Sequence, residues 1–327
     1  MEIAGLTAAQ HADYLALVNA EIRPEGATTR AEDDFPLALG ADNLPWQLGA
    51  WDAQGRLAAG LAVLVRRFAT SCGAVAVGMV GSVVTRPDCR GAGLSGRLQE
   101  AALARLRQVG VPLAALWTDR PEIYAGRGFV PAGWEWHVAL AGIDLPPLPA
   151  SASVRTYVPT DAEAVADLHA LHPWRMLREP GDAAVLYAMP GTRGLVAIVD
   201  GRPAAAVFCG KGADFPRYVA EWNGPIDLVL GLLAAARTSD LAEVVFVPAG
   251  GELLVAELGA RGGRPVAQDA GCWAVVHAER LGAVVAAAGR TAPVPGSDAR
   301  AWLGGLDERG RLQPGPVTLA VWGLDSA

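Results

Sequence analysis

Residues 75–110, VAVGMVGSVVTRPDCRGAGLSGRLQEAALARLRQVG, decide the fold of this chain. An apolar strand ends near Val84, a polar loop with three glycines follows, and the next residues form a helix that Gly110 terminates. Four apolar residues share one face of that helix: Leu98, Ala102, Leu106 and Val109. A strand, a glycine loop and a helix N-terminus together form an anion site, because the free amides and the helix dipole favour negative charge. Glycine lets the backbone approach a phosphate closely.

This loop has two interpretations. Gly91-Ala92-Gly93-Leu94-Ser95-Gly96 matches G-x-G-x-x-G, and Asp119 lies 23 residues beyond Gly96, near the spacing of a ribose-binding acid. In a dinucleotide-binding unit, however, the strand runs almost directly into the first glycine, whereas the polar TRPDCR intervenes here. About 80 residues precede the loop, and hairpins rather than a βαβ series follow it. A nicotinamide-dependent oxidoreductase therefore stays the less favoured alternative.

The second interpretation starts from the arginine before the glycines. Arg90-Gly91-Ala92-Gly93-Leu94-Ser95 fits Arg/Gln-x-x-Gly-x-Gly/Ala, and with its surroundings it resembles motif A of the GNAT acyl-CoA N-acetyltransferases. The resemblance implies that this loop holds the pyrophosphate of acetyl-CoA. It also implies that the preceding strand hydrogen-bonds the pantetheine arm. The cofactor-binding residues are then Val83, Val84, Thr85, Arg90, Gly91, Ala92, Gly93, Leu94 and Ser95. Ser95 departs from the family, which usually has Gly or Ala there.

A second element strengthens the match. Ile123-Tyr124-Ala125-Gly126-Arg127-Gly128-Phe129 resembles the late (I/F)Y-x-(K/R)-x-GF element of the same family. The resemblance implies that Tyr124 protonates the departing CoA thiolate. A thiolate with a pKa near 8.5 leaves more easily when a hydroxyl can donate to it.

A weak internal repeat predicts two similar halves. A strand, a Thr7 cap and a helix near the N-terminus recur from residue 154 with Thr160 as the cap. Hairpins over 48–68 and 195–210 also correspond, with Arg56 and Arg202 at their turns. We expect an α/β (α+β) chain of two tandem GNAT-like folds, each with a mixed, mostly antiparallel sheet flanked by helices. The predicted domains are 1–145 (acetyl-CoA-binding), 152–280 (degenerate, lacking the glycine loop and the tyrosine) and 281–327, an extension with a final strand that packs on the domains.

The motifs and the second half together resemble the Eis-like branch of the family, without its full sterol-carrier-like domain. In that branch the C-terminal carboxylate acts as the general base. The resemblance therefore implies this role for the carboxylate of Ala327, or else for Asp325.

Composition limits the other classes of function. The 327 residues carry 27 Lys+Arg and 34 Asp+Glu, and 27 − 34 = −7 disfavours nucleic-acid binding. The four cysteines have no CxxC spacing, which excludes a zinc ribbon. No basic leader and no apolar run of bilayer length is present, so we expect a cytoplasmic protein that binds no membrane. A homo-oligomer is plausible.

Histidines, a strand with Glu135, an acidic run and four tryptophans are further site candidates. His169 and His172 share a helical face but lack a third ligand, so no metal site is expected. Glu135 and His137 alternate in a strand, either as cleft residues or as a solvated face. The acidic run Glu32-Asp33-Asp34 reads as solvated surface or as a rim that attracts cations. Four tryptophans read as core or as pocket lining: Trp46, Trp51, Trp134 and Trp136.

The sequence thus predicts an N-acetyltransferase that moves an acetyl group from acetyl-CoA to a primary amine by direct attack, with Tyr124 as general acid. The partner is a small-molecule amine of unspecified identity. An acyl-CoA-binding or sensing protein without catalysis remains an alternative.

Overall fold

The computed structural model describes residues 3–23 and 25–326. They form two mostly antiparallel sheets flanked by helices, and a small hairpin. The predicted mixed α/β class is therefore confirmed.

Strands and helices are interspersed along the described residues, and several strands follow one another directly. The strands are β1 Ile3–Gly5, β2 Gln47–Trp51, β3 Leu57–Thr70, β4 Gly73–Thr85, β5 Leu113–Leu116, β6 Val130–Pro131, β7 Glu135–Ala139, β8 Ala152–Thr156, β9 Arg175–Leu177, β10 Arg193–Val199, β11 Arg202–Cys209, β12 Tyr218–Asn223, β13 Val244–Pro248, β14 Val266–Gln268, β15 Cys272–Val275, β16 Gly304–Leu306 and β17 Leu312–Pro314. The α-helices are α1 Ala8–Ile22, α2 Ala31–Asp34, α3 Pro36–Leu39, α4 Leu94–Gln108, α5 Glu122–Ala125, α6 Ala162–Ala170, α7 Asp182–Tyr187, α8 Ile226–Thr238, α9 Glu252–Ala260, α10 Ala278–Ala287 and α11 Ala299–Leu303.

The first sheet has the order β1-β2-β3-β4-β5-β15-β6, with β9 beside β3. Its strands pair antiparallel except β4 and β5, which are parallel and register from Val77 opposite Leu113 to Met79 opposite Ala115. Beyond Met79, β4 continues to Thr85 while β5 ends at Leu116. The two strands therefore separate, and the β5-facing edge of β4 is left open over residues 80–85.

The second sheet repeats this arrangement in the order β14-β7-β13-β12-β11-β10-β8. Its single parallel pair is β12 with β13, which register at Tyr218–Val244 and Val219–Val245. Both predicted hairpins are present, as β2–β3 and β10–β11. One parallel pair within each antiparallel sheet differs from the open parallel sheet of a nicotinamide-binding domain.

The two sheets exchange a strand. The first half supplies β7, which pairs with β13 and β14 of the second sheet. The second half supplies β15, which inserts between β5 and β6 of the first sheet. One apolar cluster also contains buried residues from both halves, among them Met79 and Phe208. The domain limits 1–145 and 152–280 stay predictions, but the halves share backbone ladders and core.

The C-terminal segment corrects one expectation. Residues 315–322 are not a strand; they run extended between the β16–β17 hairpin and a short 3-10 turn at Gly323–Asp325. Backbone bonds tie this run to several elements rather than to one ladder, since Ser71 N donates to Thr318 O at 2.9 Å and Val317 N to Trp302 O at 3.0 Å. The extension thus packs against both halves.

Of the two predicted helix caps, Thr7 is confirmed and Thr160 is wrong. Thr7 is the N-cap of α1 and forms a capping box with Gln10. Thr160 is not a cap; it lies inside a 3-10 turn, and Asp161 is the N-cap of α6. Arg155 donates to the carboxylate of Asp161 at 2.6 Å, and Val158 N donates to it at 3.0 Å. The helix therefore begins one residue later than the predicted cap Thr160 implies.

Candidate active site

The glycine loop has the geometry of an anion site. Gly91 (φ +81°) and Gly93 (φ +69°) adopt left-handed backbone, and Gly93 is the N-cap of α4. The first helical bond runs from Arg97 N to Gly93 O at 3.1 Å, and within the described chain the amides of residues 91–96 have no backbone acceptor. A Cβ built on Gly91 or Gly93 would meet no atom within 4 Å. Free donors and open space therefore coincide at a helix N-terminus, which fits a phosphate.

Ion pairs hold the lead-in to this loop. Arg86 donates to Asp52 at 2.7 Å and to Asp88 at 2.6 Å. The hydrogen bond from Arg86 is the main reason that the pKa of Asp52 lies well below its usual range. Arg90 is exposed, with its guanidinium paired to Glu21 and its Nε 3.4 Å from Thr85 O. Arg90 therefore stands at the loop with an exposed guanidinium, and an anion bound there would have to replace its pairing with Glu21.

The third glycine of the loop serves a packing role. Arg127, from the late sequence element, donates from Nε to Gly96 O at 3.1 Å. A Cβ on Gly96 would lie 1.8 Å from Arg127 Nη2. The G-x-G-x-x-G match is thus explained by contact between the two predicted motifs, and the structure brings them together.

The strand before the loop offers an unpaired edge. Val84 and Thr85 pair with β3 on one side only, opposite Gly60 and Ala59. A register shift at this point makes a bulge, where Ser82 takes φ +50°. Tyr14 Oη holds the bulge by donating to Ser82 O at 3.0 Å. The backbone groups of residues 83–85 that do not pair with β3 can therefore bind an extended chain such as pantetheine, while Thr85 O already accepts from Arg90 Nε.

Tyr124 lies in the short helix α5, near the start of the late element. Its ring is partly buried and packs edge-on against Phe129, with centroids 6.3 Å apart. Burial raises the pKa of Tyr124 above its usual value of 10, and the nearby Cys272 and Asp119 add to the rise. The hydroxyl is therefore protonated at neutral pH and can donate.

A cavity of about 270 Å³ adjoins the opening between β4 and β5. Val80, Gly81 and Ser82 of β4 form one side, and Trp117, directly after β5, forms another. Five more aromatic residues complete much of the wall: Phe35, Phe215, Tyr218, Phe246 and Trp322. Sequence reasoning missed all six rings, because they come from separate elements of both halves and the tail. Tyr124 does not line this cavity.

Glu135 brings a carboxylate to the cavity wall, so the cleft reading of this residue is the one realised. It is 8% exposed on β7. Its Oε1 accepts from Gln268 Nε2 at 3.1 Å and lies 3.0 Å from His137 Nε2. No donor in residues 3–23 and 25–326 reaches Oε2, so one oxygen remains available to a ligand.

The C-terminal turn reaches the same cavity. Ser326 lines it, and the fully buried Lys211 donates from Nζ to Gly323 O at 3.0 Å and to Ser326 Oγ at 2.7 Å. Burial lowers the pKa of Lys211 from 10.5 to about 7. Ala327, predicted as the general base, lies outside the described residues. Lys211 is the only lysine of the chain. This is the one sequence signal that could have marked it as a candidate site residue.

Asp325 does not fit the alternative role of general base. It is 1% exposed and does not line the 270 Å³ cavity. Arg178 donates to it at 2.9 Å and also pairs with the buried Glu221. Asp325 therefore anchors the tail instead of meeting a substrate.

Two further candidates are corrected. Asp34 is neither solvated surface nor a rim, because it is fully buried and pairs with Arg23 at 2.8 Å. The four tryptophans singled out in the sequence do not line the 270 Å³ cavity. Among the described residues, no group of three or more His, Cys, Asp or Glu has the arrangement of a metal site.

The second half has no equivalent anion loop. Only Gly224 and Pro225 separate β12 from α8, whereas eight residues separate β4 from α4. The opening between β12 and β13 is filled by the tail, since a Cβ on Gly323 would lie 2.9 Å from Ala220 O. Trp322 packs there at 5.2 Å from Trp222. The opening between β4 and β5 in the first half thus has a counterpart in the second half that the tail fills.

Comparisons with known proteins agree with this geometry. Residues 2–132 match the family model of the acetyltransferase (GNAT) domain. No curated protein shows significant sequence similarity to the chain. No helix in the described part is long and apolar enough to cross a membrane.

Several solved structures share the fold at low identity. A probable N-acyltransferase from Enterococcus faecalis V583 is 14% identical with a TM-score of 0.66, over 84% of this chain and 72% of its own. A GCN5-related N-acetyltransferase from Kribbella flavida is 17% identical with a TM-score of 0.66, over 86% and 73%. Eis1 from Mycobacterium abscessus is 17% identical with a TM-score of 0.61, over 87% and 76%. Residues 2–132 therefore match the GNAT acetyltransferase domain model, and solved structures described as N-acyl- or N-acetyltransferases share the fold of the chain along most of its length.

Proposed function

We propose that this protein transfers an acetyl group from acetyl-CoA to a primary amine held in the 270 Å³ cavity. The observation that carries the proposal is the continuity of three features. The free-amide loop of residues 91–96 leads to the open edge of β4, and that edge leads to a cavity with an available carboxylate oxygen. A turn that merely contains glycines would not need the other two.

Acetyl-CoA would supply an activated acetyl thioester. The amides of residues 91–95 bind its pyrophosphate, Arg90 adds charge, and the backbone of Val83, Val84 and Thr85 hydrogen-bonds the pantetheine arm. An amide at the β4 bulge polarises the thioester carbonyl. The amine nitrogen forms the C–N bond, the C–S bond breaks, and Tyr124 protonates the departing thiolate.

A carboxylate must first take the ammonium proton of the acceptor. Glu135 is supported by its place in the cavity wall and its unpartnered Oε2. The carboxylate of Ala327 remains the alternative implied by the Eis-like resemblance, and the neighbouring Ser326 lines the cavity. We expect Glu135→Gln to lower kcat/KM by roughly 10²–10⁴-fold, and a short glycine extension after Ala327, which moves the terminal carboxylate away, to have a smaller effect. The opposite ranking would assign the base to the C-terminus.

Calorimetric titration with acetyl-CoA tests the proposal, with NADH as the control ligand. Acetyl-CoA should bind, and Arg90→Ala and Gly93→Asp should weaken binding by at least about tenfold, because the second adds negative charge beside the pyrophosphate. Gly201→Asp is the matched control, since Gly201 in the β10–β11 turn also has left-handed backbone (φ +77°) and open space around it. Absence of acetyl-CoA binding would overturn the proposal.

Two other functions correspond to other outcomes. Acetyl-CoA binding without turnover on any amine would indicate a sensing protein. NADH binding would favour the oxidoreductase. The cytoplasmic location and homo-oligomeric state expected from the sequence remain predictions.

A further inference from the structure

We infer that the acceptor is a small aralkylamine, a molecule with one ammonium group on an aromatic body, and not a polycation such as a polyamine or an aminosugar. The inference rests on the proposed acetyltransferase function and concerns the same cavity. Size, wall chemistry and charge each point to this class.

The cavity is small. Its volume of about 270 Å³ lies below the roughly 300–1,000 Å³ of pockets that hold drug-sized ligands. It is bounded by β4, by the loop before β12 and by the tail, and these belong to shared core and ladders. A multi-ring aminosugar would have to displace these elements.

Aromatic rings form much of the wall, and several of them contact one another or the neighbouring His137. Tyr218 lies 5.6 Å from Phe215 and 5.5 Å from His137, and Phe246 lies 5.8 Å from His137, all in edge-on arrangements. Edge-on groups at these distances form a face that favours a further aromatic ring. The same rings attract an ammonium group through their faces.

The charged lining suits a single cation. Three charged residues line the cavity, namely Arg23, Glu135 and Asp214, and their formal sum is +1 − 2 = −1. Arg23 pairs with Asp214 at 3.3 Å and with Asp34 at 2.8 Å. Among the described lining residues, Glu135 is thus the carboxylate without a guanidinium partner. One ammonium finds a counterion there, whereas a second would be buried unpaired, which is costly.

His137 supports this role of Glu135. Its Nε2 lies 3.0 Å from Glu135 Oε1, and its ring packs between Tyr218 and Phe246. The carboxylate is therefore held by the same aromatic wall that would hold the body of the ligand. The ammonium and the ring of an aralkylamine would be bound side by side.

The test uses the full-length protein and two readouts. Calorimetry with 2-phenylethylamine, spermidine and kanamycin measures acceptor binding with and without CoA. Thiol release with acetyl-CoA measures kcat/KM for the same amines. We expect kcat/KM for 2-phenylethylamine to exceed that for spermidine and kanamycin by at least tenfold.

Two variants distinguish a loss of contact in the cavity wall from a general loss of core packing. Phe246→Leu, in the cavity wall, should raise KM for 2-phenylethylamine by about five- to tenfold, because an aromatic contact is lost, with acetyl-CoA affinity unchanged. Phe68→Leu, buried in the core but not in the cavity wall, should leave KM unchanged. If both variants fold poorly, the comparison of amines on the unmodified protein still decides.

Two results would overturn the inference while leaving the transferase function intact. One is a spermidine or kanamycin kcat/KM equal to or above that of 2-phenylethylamine. The other is acetyl-CoA binding with no binding of 2-phenylethylamine. Binding of 2-phenylethylamine without any acetyl-CoA binding would instead support the acceptor class and contradict the transferase function.

Discussion

At the scale of single residues, Tyr124 and Glu135 lie in different surroundings. Tyr124 lies near Cys272 of β15 and does not line the 270 Å³ cavity, whereas Glu135 lines that cavity from β7. The two residues proposed for proton transfer are therefore held by different elements. The raised pKa of Tyr124 keeps its proton on the hydroxyl across the neutral range.

We expect Tyr124→Phe to lower kcat by roughly 10²–10⁴-fold, because the thiolate then leaves without a proton donor. Its acetyl-CoA affinity should stay unchanged, since the pyrophosphate loop is untouched. Thiol release under saturating substrate is the measurement. Tyr157→Phe is the control: that ring packs at 5.2 Å from Phe208 in the second half. Equal activity of both variants would exclude Tyr124 as the general acid.

How well single residues could be predicted depended on whether their signal was local. The loop glycines and Tyr124 were assigned from contiguous motifs, because left-handed turns and helix starts are set by neighbouring residues. Asp34 was misread, since its partner Arg23 is brought to it by folding and not by spacing. Lys211 has no local signal beyond being the only lysine of the chain, and its hydrogen bond to Ser326 spans 115 residues.

At the scale of elements, the two parallel strand pairs differ in what occupies the opening between their strands. The β4–β5 opening leads to a loop and a cavity, and the β12–β13 opening is filled by the tail. Trp322 is the main filler; it is 2% exposed and lies 4.4 Å from His172, between ring centroids. Burial lowers the pKa of His172 to about 4, so an uncharged imidazole packs against the indole at neutral pH.

We expect Trp322→Ala to lower the free energy of unfolding by about 3–5 kcal/mol, because a large buried ring leaves a cavity behind. Urea denaturation followed by circular dichroism measures this. Trp46→Ala, which removes a half-buried ring 4.6 Å from Arg105, should cost clearly less. A loss no greater than that of the control would mean that the tail does not stabilise the second sheet.

At the scale of the whole molecule, strand exchange and the tail make the halves interdependent. Arg178 links Glu221 of β12 to Asp325 of the tail, and Lys211 links the end of β11 to Ser326. Both cations are almost fully buried. The second half therefore sets the position of the tail, and through Ser326 and Trp322 it shapes the acceptor cavity.

Lys211 should make stability depend on pH. Its pKa is about 7 when folded and 10.5 as the ordinary value, so between these values the unfolded chain binds one more proton. The free energy of unfolding then rises with pH, since raising the pH removes the proton that only the unfolded state holds. Below about pH 7 both states are charged and this contribution no longer changes.

The measurement compares the protein with its Lys211→Met variant in urea at pH 7.5 and pH 9.5. Relative to the variant, the unmodified protein should gain about 2 kcal/mol between the two pH values. The absolute stability of the variant is not the readout, because it also loses the bonds to Gly323 and Ser326. A gain of zero would show that Lys211 keeps its ordinary pKa in the folded protein.

The sequence by itself determined the strand, loop and helix of residues 75–110, the late element with Tyr124, the two hairpins and the mixed α/β class. These depend on local periodicity, turn chemistry and helix termini, which neighbouring residues express. Only the tertiary structure decided that β7 and β15 change sheets, that the tail fills the second opening, and that Glu135 and six rings meet in one cavity. Such contacts join residues far apart in the chain, where burial and pairing depend on what the rest of the fold places opposite them.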